Sequence, residues 1–308
     1  MTRTAPISRR SIPPTGAAEA RCAGDLARAA MAVGRLDECV AAMGQGAAAR
    51  LALREVEAML WAAGTPLAAE EIGRDLADAR AGADLGAMRA ARWALRRLEG
   101  QGALDDLRGF LGLHRTDAPG LDDRLAPRPQ GADFDAATAG FAEAMRGMAG
   151  AHPLRRGAFA RLAWRLSDLS QDGDVIEAAV WSGRAMAADC AALAFVPMGA
   201  TGRRLWPGGA GPDRLQAHLR AVATGADLIR LRDWAGRAMA ATAKIKGDSA
   251  ARIIAALTAH PVALTADVAA AAGVSRDSAE RLLARMAGMG LVREVTGARR
   301  FRLWAAGV

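Results

Sequence analysis

Residues 274–304 read VSRDSAERLLARMAGMGLVREVTGARRFRLW, and this stretch decides the fold of the C-terminal part of the chain. Ser275 stands one residue before a run with helical periodicity, where its hydroxyl can accept a backbone N–H of the first turn. Asp277 falls within that turn, where the helix dipole favours an acid. Ala279, Leu282, Leu283 and Met286 recur at helical steps and predict a buried stripe on a helix over 276–288. Arg276, Glu280, Arg281 and Arg285 take the opposite face. After Gly288 and Gly290 the pattern changes. Residues 291–295 and 299–304 alternate as strands do, and 296–298 join them as a hairpin.

Upstream, Ile253, Ile254 and Leu257 mark one face of a helix over 249–260, which His260 and Pro261 end. Thr265 is expected to cap a second helix, 266–272, with Val268 turned inward. Gly273 permits the tight turn into the third helix. Two helices joined in this way present the second of them to the major groove of double-stranded DNA. The candidate DNA-binding residues are therefore Ser275, Arg276, Ser278, Arg281 and Arg285 on the helix, with Arg299, Arg300 and Arg302 on or beside the hairpin. Residues 249–308 hold eight arginines against four acids. The segment resembles the C-terminal winged helix of many bacterial regulators. That resemblance implies helix contacts to bases and phosphates, and hairpin arginines on the backbone or minor groove. Two plainer readings stay open: a winged helix used for protein contact, and Arg285 as a solvated helix residue.

The composition suits such a partner. The 308 residues carry 41 Lys plus Arg against 33 acids, a formal charge of +8, and nearly all the cations are arginine. A cationic surplus attracts polyanions without naming a site, and a solvated basic surface is the alternative. Cys22, Cys39 and Cys190 are odd in number and widely spaced, which argues against a disulfide framework or a zinc site and for a reducing cytoplasm. No cofactor is expected. The 52% hydrophobic content and mean hydropathy of +0.05 fit a soluble protein with a large core. No window reaches the ~18 uninterrupted apolar residues of a membrane span, so no membrane partner is expected. Residues 1–18, rich in Arg and Pro, read as a flexible tail rather than a signal peptide.

The remainder, 19–245, reads as helices in an all-α body. Periodicity predicts helices over 19–41, 47–63, 67–80, 85–99, 103–113, 134–149, 153–169, 174–195, 212–223 and 225–243. In the second, Leu51, Leu53, Val56, Leu60 and Trp61 form the apolar set. Residues 114–132 and 197–212, rich in Pro and Gly, read as loops, and 244–248 as a linker to the C-terminal domain.

Three stretches of this body resemble the Fic family, all-helical proteins that transfer AMP or related groups to protein hydroxyls. They are EVEAMLWAAGTPLAAEEIGRDLADA (55–79), HPLRRGAFARLAWRLSDLSQDGD (152–174) and DRLQAHLRAVATGADLIRLRDWAGRAMA (213–240). They look like the family's inhibitory helix, the helix leading into its catalytic loop, and the helices before an appended helix-turn-helix. The resemblance is to a bacterial branch that couples a Fic-like core to such a module. The family's motif, HPFx[DE]GNGRxxR, falls on Asp168, Leu169, Ser170, Gln171, Asp172, Gly173, Asp174, Val175, Ile176 and, at its end, Ala179. Asp168 stands where the general-base histidine would be, and Ile176 and Ala179 replace both arginines. Asp174 sets an acid where a triphosphate would lie; two such charges at ~4 Å repel by about 4 kcal/mol at a surface-like dielectric. Starting the motif at His152 instead puts Ala158, Phe159 and Ala160 on its asparagine, glycine and arginine. The inhibitory motif, [ST]xxxE[GN], falls on Met59, Ala63 and Gly64. Catalytic and inhibitory residues are both replaced, so the expectation is a catalytically silent, Fic-like bundle and no enzyme.

Several other patterns are read blandly. Asp168, Asp172 and Asp174 could hold a cation but read as loop acids. The glycines of 207–211 lack a following GKS or GKT and read as a connection. Arg203, Arg204 and Trp206 could form a second basic contact but read as a solvated loop. The seven tryptophans sit mostly at helix positions that face a core. The leading expectation is a DNA-binding transcriptional regulator; the alternatives are a residual transferase acting on protein hydroxyls, and an adaptor or homodimer that binds protein. Changing Arg299 and Arg300 to Ala should weaken binding to all duplexes and flatten the dependence of log K on log salt by about two units of slope. Salt titration by fluorescence anisotropy measures this, and an unchanged slope contradicts it.

Overall fold

Alanine-rich helices pack closely because little side chain separates their backbones, and one such helix organises the molecule. In the computed structural model, residues 20–76, 84–113, 128–171, 173–207, 214–224, 227–297 and 302–308 are described. The expected tail at 1–18, most of the 114–132 loop, Asp172, Arg299 and Arg300 lie outside them. Helices α1 (Ala23–Met43) and α2 (Gln45–Ala62) meet at Gly44, whose φ of 77° makes the sharp reversal possible. Leu51, Ala52, Val56, Met59 and Leu60 on α2 are almost wholly buried. Around α2 pack α1, α3 (Ala69–Leu76), α4 (Leu85–Leu98), α8 (Ile176–Met186), α9 (Gly199–Gly202), α11 (Asp227–Thr242) and α12 (Ser249–Ala259).

The rest of the body closes over one flank. Helices α5 (Leu107–Leu111), α6 (Gly131–Arg146) and α7 (Pro153–Leu166) bring Phe110, Phe141 and Trp164 together with Trp181 of α8. Their rings meet edge to face, Phe141 lying 5.4 Å from Trp164 and 5.0 Å from Trp181 between centroids. α7 and α8 form a close antiparallel pair at Gly157, where an added Cβ would overlap Met186 and where Ser182 Oγ donates to the Gly157 carbonyl at 2.8 Å. α10 (Arg214–Thr224) packs back on α1.

The C-terminal residues run α12, β1 (Ala263–Leu264), α13 (Thr265–Ala272), α14 (Arg276–Gly288), β2 (Val292–Glu294), β3 (Leu303–Ala306). The three strands form an antiparallel sheet in the order β1-β3-β2, with Ala263 opposite Trp304 and Val292 opposite Ala306. The core runs without a break from the body into this unit. Trp234 Nε1 of α11 donates to the Leu291 carbonyl at 2.6 Å, and Arg293 of β2 pairs with Glu70 of α3 at 2.6 Å. Gly46 of α2 lies so close to Ala259 that a Cβ would collide with its backbone.

Several expectations need correction. The helix expected over 103–113 is only Leu107–Leu111, because the Asp106 carboxylate accepts the Gly109 N–H at 2.9 Å and starts it, and left-handed Gly112 ends it. The helix expected to run to 195 stops at Met186; beyond it the Asp37 carboxylate accepts the N–H groups of Ala191, Ala192 and Leu193. Residues 197–212 are not all loop, since Gly199–Gly202 form a helical turn. Thr265 is no cap: it is the first residue of α13, and its hydroxyl accepts the Trp304 indole N–H at 2.9 Å. Asp267 caps instead, accepting the Leu264 N–H at 3.3 Å. The last strand is Leu303–Ala306 rather than 299–304, and β1 was not expected. Trp61 is 54% exposed, with the Arg203 guanidinium over its ring at 5.0 Å. No helix among the described residues is long and apolar enough to cross a membrane.

Glu55 joins α2 to α9 from inside the core. Its carboxylate accepts the N–H of Met198 at 3.0 Å and of Gly199 at 2.6 Å, with burial raising its pKa from 4.5 to about 7 against those two bonds. The folded state therefore holds the proton more tightly than the unfolded chain. Stability conferred below pH 4.5 is lost as pH rises towards 7, by about 3 kcal/mol for such a shift. Urea midpoints at pH 5 and pH 8 should fall less in Glu55→Gln than in the wild type, and an identical fall in both contradicts the assignment.

Candidate nucleic-acid interface

The exposed side of α14 is set by its own start. Ser275 Oγ accepts the Ser278 N–H at 3.2 Å and lies 2.9 Å from Ser278 Oγ, so both predicted serines serve the helix cap. Left-handed Gly273, φ 59°, makes the turn from α13, as expected. Ala279, Leu283 and Met286 are buried at 0%, which turns Arg276, Asp277, Glu280, Arg281, Ala284, Arg285 and Gly288 outward. At about 100° per residue, Arg281 and Arg285 lie about 40° apart, while Arg276 stands about 140° from Arg281 and about 180° from Arg285, with Asp277, Glu280, Ala284 and Gly288 between them. Arg281 reaches Ser278 Oγ at 3.4 Å.

Beside this helix the β2–β3 connection is shaped by an acid. Glu294 accepts the N–H of Thr296 at 2.7 Å and of Gly297 at 3.0 Å; these bonds outweigh its partial burial and hold its carboxyl below the usual range. Arg302 is half-buried, with Nη1 3.6 Å from Glu280 Oε1 on α14. The hairpin and the helix are thus tied together by charge. Arg299 and Arg300 lie outside the described residues. Of the eight predicted residues, Arg276, Arg281 and Arg285 are all exposed on α14, Arg281 and Arg285 together and Arg276 across the outward side from them; Arg302 borders the helix, and the serines support its start. Arg252 was missed. It belongs to α12, yet it reaches the Gly273 carbonyl at 3.4 Å and Asp248 at 3.1 Å, beside the turn into α14. Only its place four residues after Asp248 hinted at this.

The second candidate site is the connection between α7 and α8, where the Fic motif was aligned. Asp168 has a left-handed backbone, φ 51°, a conformation more open to Asp than to most residues. Leu169, Ile176 and Ala179 are buried in the core. Trp164 Nε1 donates to Ser170 Oγ at 2.7 Å, Ser170 Oγ donates to Glu177 at 2.6 Å, and Arg128 pairs with Glu177 at 2.6 Å while donating to the Leu169 carbonyl at 3.1 Å. Burial, with the neighbouring Asp174 charge, pushes Glu177 up to about 7 despite Arg128. Burial also raises Asp174, which accepts the Ile176 N–H at 2.7 Å. The positive group here is thus engaged by a carboxylate and a carbonyl, and two acids face it. Among the described residues no three His, Cys, Asp or Glu side chains are grouped to hold a metal. The other basic candidate does not assemble: Trp206 is buried against Gly202 while Arg203 stacks on Trp61.

No family model matches this sequence, and no curated protein matches it. Among solved structures the chain is similar to a Fic family protein from Desulfovibrio desulfuricans G20, with a TM-score of 0.52 at 14% identity, over 96% of this chain and 97% of that one. Such coverage takes in the helical body and most of the C-terminal unit. At this identity the likeness is one of fold.

Because Ser275 starts α14, Ser275→Ala should destabilise the C-terminal unit by about 1 kcal/mol. A urea titration followed by tryptophan fluorescence reads this, and an unshifted midpoint contradicts the capping role.

Proposed function

We propose that residues 249–308 form a winged helix-turn-helix that binds double-stranded DNA, and that the chain is a transcriptional regulator. The observation that carries this reading is the exposure on α14 of Arg281 and Arg285 together, with Arg276 exposed at the start of the same helix, beside the β2–β3 hairpin. The element order, with two helices before the exposed helix and a hairpin after it, supports the same reading. So does the arginine surplus of the segment and of the chain. In this reading α14 enters the major groove, its arginines meet bases and phosphates, and the hairpin reaches the adjacent backbone.

The helical body is then a silent scaffold that carries the DNA-binding unit and meets a protein partner or a second copy. The replaced motif residues and the Arg128–Glu177 pair in the α7–α8 connection support this. The likeness to a Fic family protein favours a second reading, a surviving transfer of a nucleotide group to a protein hydroxyl. Incubation with labelled ATP and a cell extract separates the two; the silent reading expects no label that depends on Asp168 or Asp174.

Replacing Arg276, Arg281 and Arg285 together by Ala should lower affinity for a random duplex by about 100-fold at moderate salt, with the fold retained by circular dichroism. Anisotropy with a labelled duplex measures it. Wild-type affinity in the folded triple variant sinks the proposal.

A further inference from the structure

Two exposed residues of α14 have the wrong charge for a phosphate-binding surface; Asp277 stands in the first turn, where the helix dipole favours an acid, and Glu280 has no such reason to be there. Glu280 stands in the same row as Arg276, in the N-terminal half of the helix, with its side chain 48% exposed. Next along that row come Ala284 and Gly288, both exposed and both small, so nothing on that row C-terminal to Glu280 holds the helix off a groove floor. An acid among three arginines weakens attraction to every duplex, whatever its sequence.

We infer that Glu280 is a specificity-determining residue that reads cytosine in the major groove. The inference rests on the DNA-binding reading of α14. An ionised carboxylate only accepts hydrogen bonds. In the major groove the available donors are the N4 amino group of cytosine and the N6 amino group of adenine. Adenine places its N7 acceptor beside N6, which repels a carboxylate; cytosine places no acceptor there. The surface offers a further reason for this assignment. Arg302 Nη1 lies 3.6 Å from Glu280 Oε1, close enough to orient the carboxylate by charge yet beyond hydrogen-bond distance, so this contact leaves the lone pairs of that oxygen open to a base. Arg302 thus acts as a positioning residue from the hairpin. Neighbouring Arg276 and Arg281 have the forked geometry that suits guanine.

The test is selection of binding sites from a randomised duplex pool by the full chain, in three forms: wild type, Glu280→Ala and Glu280→Gln. Each selected site is then measured against its single-base variants. Wild type should prefer cytosine at one position by about 10-fold, and Glu280→Ala should lose that preference while binding random duplex several-fold more tightly. Glu280→Gln should move the preference towards adenine, since an amide can pair with N6 and N7 together. Three outcomes overturn the inference. Identical preferences in wild type and Glu280→Ala reject base reading while leaving DNA binding intact. A uniform loss of affinity for all sequences assigns Glu280 only to holding Arg302. If wild type binds no duplex at all, the DNA-binding reading fails first.

Discussion

Among the contacts that orient the C-terminal unit, the guanidinium of Arg50 at the end of α12 is the one that ties it to the central helix. Arg50 donates to the carbonyls of Leu257 at 2.7 Å and His260 at 3.1 Å, groups that a helix end leaves without partners. Burial lowers its pKa to about 10, which still leaves it charged at neutral pH, and a cation at a helix C-terminus lies in a favourable field. Arg50 belongs to α2, the helix on which most of the body packs. One side chain therefore fixes α12 to the centre of the molecule, with Gly46 one turn earlier allowing the backbones to approach. Everything placed by α12, including the turn at Gly273 and the outward face of α14, inherits its position from this junction. Arg293–Glu70 and Trp234–Leu291 hold the same unit from its strand side.

The two candidate sites treat charge in opposite ways. On α14 three arginines stand exposed, and of the two acids between them Glu280 lies beside an arginine of the hairpin. Between α7 and α8, Arg128 is drawn inward against Glu177, and the adjoining positions are filled by Leu169, Ile176 and Ala179. A polyanion approaching the first surface meets exposed cations. One approaching the second meets acids whose charge burial already disfavours. This contrast is why the functional proposal lies with the C-terminal unit although the overall fold is similar to that of a Fic family protein.

What the sequence made legible was local. Ser275, Asp277 and the stripe of Ala279, Leu283 and Met286 placed α14 to the residue, because cap and periodicity act within a few positions of each other. The hairpin strand was misplaced because β3 is the central strand of its sheet: all four of its residues are buried, so it has no alternation to read. β1, two residues long, leaves no pattern at all. Asp106 looked like a helix residue and is a cap. Trp61 looked like core and lies at the open end of α2, stacked with Arg203. The contacts that set the architecture, Arg50 to His260, Glu55 to Met198 and Asp37 to Ala191, join residues more than 140 positions apart. No short window contains both partners. The same holds for Arg302, whose partner Glu280 lies 22 positions away on α14.

On the DNA-binding proposal, the exposed arginines of α14 meet DNA while the body does not. Amide chemical-shift mapping of the isotopically labelled full chain, titrated with a random duplex at low salt, tests it most directly. Perturbations should concentrate over 275–285 and the 294–302 hairpin and fade as salt is added. Perturbations centred on the α7–α8 connection, or none at saturating duplex, would contradict it.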